Sequence, residues 1–283
     1  MELLLNEQNP PLPEESVPML LNRFDHLMSI SNNGKPFIYT NGRSAFLHFD
    51  ILAVQSEMDV NAPYRLVLSY TRTMMGFLLF HQAPKSIAMI GLGGGSMPKY
   101  CHRYLPEASI VVLEKNEEVI ALRDHFLIPE DDDRLSIHCA DGVDFVKTAE
   151  QQYDVLVVDG FDKAGQPPRL CSQDFYDDCY RLLAQDGIMV VNLIDNDEVN
   201  EIYLDRMRRS FDDAVITVPV FESHNRIAFA CKGDSLQLSN QVLIGRLRAI
   251  AASHPMDLHQ VLKGILQQRQ LELVTGRSQA VVF

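Results

Sequence analysis

The sequence predicts an α/β fold, a mainly parallel sheet with helices on both faces, preceded by a small β-rich segment. Three observations carry this. Short apolar runs at 86–90, 109–113, 135–138, 153–158 and 187–193 alternate with amphipathic stretches at 97–104, 116–125, 142–149, 173–185 and 197–210. That alternation is the pattern of right-handed βαβ crossovers. The first run drives into Gly91-Leu92-Gly93-Gly94-Gly95, four glycines within five residues, ahead of a helix-compatible stretch. The second run ends on Glu114, twenty-three residues after Gly91.

Each remaining element has its own signal. Residues 1–18 carry Pro10, Pro11, Pro13 and Pro18 and read as a loose arm. Residues 19–62 read as a β-rich domain: 36–40 and 44–49 flank Asn41-Gly42 as a hairpin, and 50–55 supplies a further strand. A helix is predicted over 64–80. The weaker runs at 214–219 and 226–231 have little between them, so the sheet should finish in an antiparallel pair. Residues 63–233 then form the nucleoside-binding and catalytic domain, and 234–283 a helical tail. That tail should hold two helices, broken near Ser253-His254-Pro255.

Composition narrows the function. The 283 residues carry 25 Lys and Arg against 38 Asp and Glu, a formal charge of −13. That balance argues against a nucleic-acid backbone or an anionic membrane as partner. The five cysteines are scattered and never spaced as CxxC, so reduced thiols and no metal cluster are expected. The first residues lack a basic stretch leading into a long apolar run, and Arg72 interrupts the best apolar span, Val67 to Phe80. A cytoplasmic protein is expected.

Glycine spacing separates two cofactor classes. A dinucleotide loop needs GxGxxG, and from Gly91 the sixth position is Ser96. GxGxG fits at Gly91, Gly93 and Gly95, as in S-adenosylmethionine-type sites, where a Cβ would fill space the ligand needs. Glu114, at the tip of the second strand, is placed to hydrogen-bond a ribose; otherwise it is a solvated surface acid. Asp141-Gly142 follows the third strand, where a carboxylate accepts from an adenine amine or caps the next helix, two compatible roles. Asp159 and Asp162 end the fourth strand, where ligands bind in open α/β sheets: a general base and a cation anchor, or a polar turn.

From about residue 37 to 195 the chain resembles the spermidine synthase (polyamine aminopropyltransferase) family. Gln55 and Tyr64 fit its N-terminal Gln and Tyr, and Gly91 to Ser96 its glycine loop. Glu114 fits its strand-two acid and Asp141-Gly142 its adenine-side pair. Asp159 and Asp162 fit the two acids of its DxxDP loop, and Phe175-Tyr176 the aromatic pair that follows. The resemblance implies a class I methyltransferase-like Rossmann sheet behind the β-rich domain. It also implies a homodimer and a donor, decarboxylated S-adenosylmethionine, that binds as co-substrate with no tightly held cofactor. Asp159 would take the proton of the accepting amine; Asp162, Tyr64 and Gln55 would bind that substrate.

Three positions depart from the family pattern. Gly94 replaces the loop aspartate, Arg65-Leu66 the pair after the tyrosine, and Lys163 the proline after DxxD. Two carboxylates are exchanged for two cations, which would repel a dicationic acceptor by roughly 1–4 kcal/mol per close pair. Gly94 also leaves room for the carboxylate of ordinary S-adenosylmethionine, with Arg65 or Lys163 as its partner. A methyltransferase on the same scaffold, or a nucleoside-binding homologue without catalysis, are the alternative readings.

Overall fold

A computed structural model describes residues 28–29, 34–51, 54–161, 165–194, 197–221 and 223–275. The expected arm at 1–18, and both Asp162 and Lys163, lie outside the described residues.

The first strands, β1 (Phe37–Thr40) and β2 (Ser44–His48), pair antiparallel with Thr40 opposite Ala45. Gly42 takes φ +82°, and the Asn41 Oδ1 accepts from the amides of Arg43 and Ser44 at 3.0 and 2.7 Å. The Asn-Gly turn works because glycine tolerates the left-handed conformation while asparagine satisfies the turn's amides. The third strand, β3 (Val54–Asp59), lies later than the 50–55 that the apolar run suggests. It continues through Ser56-Glu57 because alternate residues Ser56 and Met58 face inward, a period that a count of apolar residues overlooks.

The predicted helix over 64–80 is confined to α1 (Ser69–Met74), which tightens into a 3₁₀ turn over Met75–Leu79. Arg72 donates back to the carbonyls of Leu66 and Val67 at 2.8 and 2.5 Å, which holds that segment outside the helix.

The strands β4 (Ser86–Ile90), β5 (Ser109–Glu114), β6 (Leu135–Cys139), β7 (Tyr153–Val158), β8 (Leu183–Ile194), β9 (Val215–Pro219) and β10 (Asn225–Cys231) form a seven-stranded sheet in the order β6-β5-β4-β7-β8-β10-β9. All neighbours from β6 to β8 are parallel, and β10 runs antiparallel to both β8 and β9. The helix predicted over 173–185 stops at Leu182, and β8 starts at once, with Asp186 at φ +61°.

Helix α2 (Ser96–Tyr104) follows the glycine loop, and the single turn α3 (Glu117–Ile120) follows β5. One face of the sheet carries α4 (Gly142–Thr148), α5 (Gln173–Leu182) and α6 (Asp197–Ser210). The other is covered by α1, α2 and the tail helices α7 (Asn240–Ser253) and α8 (His259–Thr275). Strand residues such as Ile87, Val155, Val157 and Val190 are buried between those layers, which explains their unbroken apolar runs. Gly264 inside α8 has a packing reason, since a Cβ there would stand 2.7 Å from Val218 Cγ1 of β9. All five cysteines are free thiols, four buried and Cys139 exposed. No helix among the described residues is long and apolar enough to cross a membrane.

Candidate active site

A cleft of about 520 Å³ opens at the carboxyl ends of the parallel strands. It sits where the chain leaves β4 toward β5 on one side and β7 on the other, the position at which open α/β sheets bind ligands. Of the residues predicted for the site, Gln55, Gly91, Gly93, Glu114, Asp141, Gly142 and Asp159 all line it.

The side of the cleft at β5 and β6 is built from turns. The Glu114 Oε2 accepts from the Leu92 amide at 3.0 Å and its Oε1 from the Asn116 amide at 2.9 Å. The acid therefore ties the glycine loop to the end of β5 and holds its own carboxylate at the cleft wall. The Asp141 Oδ1 caps α4 by accepting from the Val143 amide at 2.8 Å. Its Oδ2 meets Arg169 at 2.6 Å, whose other nitrogen reaches Asp144 at 2.7 Å. Arg169 belongs to the 3₁₀ turn Pro168–Cys171 and lines the same cleft. Nothing in its sequence context distinguishes it.

The glycines serve packing more than ligand access. A Cβ on Gly91 would lie 2.2 Å from the Asp159 carbonyl oxygen, and one on Gly95 2.5 Å from Ile128. Both glycines also have positive φ, +97° and +64°, so the loop needs them to fold against protein. Gly93, at φ +51°, has only the Ser56 Cβ at 3.9 Å near its own Cβ position and leaves backbone open to the cleft.

The reacting side is built from side chains far apart in sequence. Asp159 follows β7, with its amide bonded to the Ile90 carbonyl at 2.9 Å. Its carboxylate accepts from the Asn192 Nδ2 at 2.8 Å and from the Tyr70 hydroxyl. Asn192, 2% exposed at the end of β8, accepts in turn from the Asn225 Nδ2 at 2.9 Å. Burial pushes the Asp159 carboxyl above its ordinary range, against the two hydrogen bonds that favour its ionised form. Burial, then the Asp159 charge, pushes the Tyr70 phenol well up, so it stays a donor.

Tyr70, Asn192 and Asn225 carry no sequence signal of their own, and the family pattern points instead to Tyr64 as the substrate tyrosine. Tyr64 does not line the cleft; the Arg103 guanidinium stands over its ring at 4.6 Å. Arg65 turns to Asp59 at 3.6 Å and Leu66 is buried, so neither faces the cleft. Phe175 and Tyr176 are buried in the core, edge to face at 5.6 Å.

Fold and cleft together define an α/β protein of the class I methyltransferase-like type with its candidate site at the switch point of the sheet. Residues 67–237 match the spermine/spermidine synthase domain model. A polyamine aminopropyltransferase of Chromobacterium violaceum is 40% identical over 192 residues, covering 68% of this chain and 73% of that protein. The chain belongs to the spermine/spermidine synthase domain family. Its fold resembles a spermidine synthase solved with the transition-state analogue AdoDATO (TM-score 0.62, 18% identity, 86% and 88% of the two chains). It also resembles human methyltransferase-like protein 13 solved with SAH (TM-score 0.61, 20% identity, 67% and 94%).

Proposed function

We propose that this chain transfers an aminopropyl group from decarboxylated S-adenosylmethionine to an amine, with Asp159 as the base. The observation that carries the reading is the setting of Asp159. The carboxylate is half-buried at the switch point of the sheet, held by two neutral donors, with no cation bonded to it among the described residues. Such a group accepts a proton more readily than a surface carboxylate, and the useful range for a base lies toward neutral pH.

The donor supplies its own leaving group. The nitrogen lone pair of the acceptor attacks the propyl carbon bound to sulfur. The N–C bond forms as the C–S bond breaks, and that electron pair leaves on sulfur, giving neutral methylthioadenosine. The proton on the nitrogen passes to Asp159. An alkyl amine has a pKa of about 10, so its neutral form is scarce at neutral pH and a positioned base matters. Glu114 would hold the ribose, Asp141 the adenine amine, and Gly91, Gly93, Gly95 and Gly142 let the backbone fold closely around that half. Gln55 stands at the rim, and Asp162 is assigned the second amino group of the acceptor. The family resemblance supports a homodimer in the cytoplasm.

The test is release of methylthioadenosine by the full chain from decarboxylated S-adenosylmethionine, with a panel of mono- and diamines. Amine-dependent release is expected. Methylated product and S-adenosylhomocysteine from ordinary S-adenosylmethionine would overturn the reading in favour of a methyltransferase.

A further inference from the structure

We infer that Ser56 of β3 hydrogen-bonds the donor's chain beyond the sulfur, at a point of the site where the glycine loop supplies no side chain. The inference rests on the aminopropyl reading above and adds a residue from the N-terminal sheet to the donor site.

The first observation concerns Gly94. Unlike Gly91, Gly93 and Gly95 it has no positive φ, so its conformation alone would admit another residue. Space does not. A Cβ there would lie 2.6 Å from the Ser56 Oγ, 3.0 Å from the Ser56 Cβ and 3.0 Å from Phe126 Cδ1. Gly94 is buried behind the cleft wall and has no room for a side chain; Ser56, which lines the cleft, occupies the place one would fill. The space that a side chain on Gly94 would take is held by Ser56 and Phe126.

The second observation is independent. Ser56 is 5% exposed, lines the cleft, and its hydroxyl has no hydrogen-bond partner among the described residues. Buried hydroxyls are ordinarily satisfied, and one turned to a cleft without a protein partner is suited to a ligand. Its strand is held firmly against the loop. Met58, two residues on, receives the Lys99 Nζ at 3.1 Å, and the same ammonium donates to the Phe126 carbonyl.

Reaction geometry directs the contact. The attacked carbon lies between sulfur and the amine at Asp159, with the two bonds in line, so the rest of the donor's chain must leave that axis. On the glycine-loop side it meets the hydroxyl of Ser56. A neutral hydroxyl accepts from an ammonium and donates to a carboxylate, so it discriminates between these chains less than an acid would.

The experiment measures calorimetric Kd values on the full chain for methylthioadenosine, decarboxylated S-adenosylmethionine and ordinary S-adenosylmethionine. For Ser56→Ala, methylthioadenosine should bind within about 2-fold of wild type, while the preferred sulfonium donor weakens about 3- to 10-fold. Equal weakening of nucleoside and donor, or of neither, overturns the inference. A wild type that prefers ordinary S-adenosylmethionine overturns the aminopropyl reading instead, and the Ser56 contact is then read on that donor. Gly94→Ala should lower Tm and weaken all three ligands; adding Ser56→Gly should restore most of the Tm and of the methylthioadenosine affinity, while the sulfonium donor stays weakened as in Ser56→Ala. Additive effects of the two changes would refute the shared space.

Discussion

The two halves of the cleft are built by different means. On the nucleoside side, each acid is held by amides within a few residues of a strand end: Glu114 by Leu92 and Asn116, Asp141 by Val143. On the reacting side, Asp159 is held by Tyr70 and Asn192, and Asn192 by Asn225, residues drawn from α1, β8 and β10. Backbone amides hold a carboxylate still, as a binding surface requires. Neutral side-chain donors in a desolvated corner leave a carboxylate able to change its proton, as a base requires.

Breaking the reacting half should give the largest effect. Asp159→Asn should lower turnover by about 10²- to 10⁴-fold with methylthioadenosine affinity unchanged. The same variant should melt higher at neutral pH. A carboxyl with a raised folded pKa stabilises the fold only while protonated, and that benefit is lost as pH rises through the folded value. Unchanged turnover would remove Asp159 from the chemistry.

The next effect tests how the corner is oriented. Asn225→Asp presents only acceptors, so the Asn192 amide loses the donor that turns its NH₂ toward Asp159. Tyr70 is the titratable side chain that also bonds Asp159. The acid limb of the kcat/KM profile should move to higher pH, and the rate on that limb should fall about tenfold for every pH unit the limb moves. Asn225→Ser, which keeps a donor, should restore it. Lost activity with an unmoved profile would mean a structural role alone.

In the nucleoside half, Glu114→Gln replaces one accepting oxygen with a donor that faces an amide. Methylthioadenosine should bind about tenfold more weakly, with the pH profile unmoved. Arg169→Ala should do least. Its guanidinium is 58% exposed, so the pairs with Asp141 and Asp144 are screened by solvent and contribute little at ordinary salt. Thermal melting should barely move and nucleoside affinity should change less than about 3-fold. A larger loss would make Arg169 part of the adenine site.

The contrast also explains what can be read from the chain. The glycine loop, Glu114 and Asp141 are strand-end features held largely by backbone amides at the strand ends, so spacing reveals them. Tyr70 stands six residues from Tyr64 in a stretch whose helical period is ambiguous. Only the turn of α1, set by Arg72 gripping the carbonyls of Leu66 and Val67, decides which tyrosine reaches Asp159. Arg65 reads as a cation beside the site because sequence neighbours of a site residue tend to share its surroundings. The chain turns there, and the guanidinium goes to Asp59.

The βαβ alternation and the placing of Glu114, Asp141 and Asp159 at strand ends around one cleft follow from the chain alone, because hydrophobic period, glycine and chain order act over short distances. Other features exist only once the layers are packed. Gly94 has no room for a side chain, Ser56 stands in that space, Tyr70 and Asn192 bond Asp159, and Asn225 bonds Asn192. Those outcomes depend on how the three-stranded sheet and the strands β8 and β10 pack against the loop. Packing brings together residues far apart in the chain, Tyr70 and Asn192 on Asp159 and Asn225 on Asn192, and no local pattern in the chain encodes it.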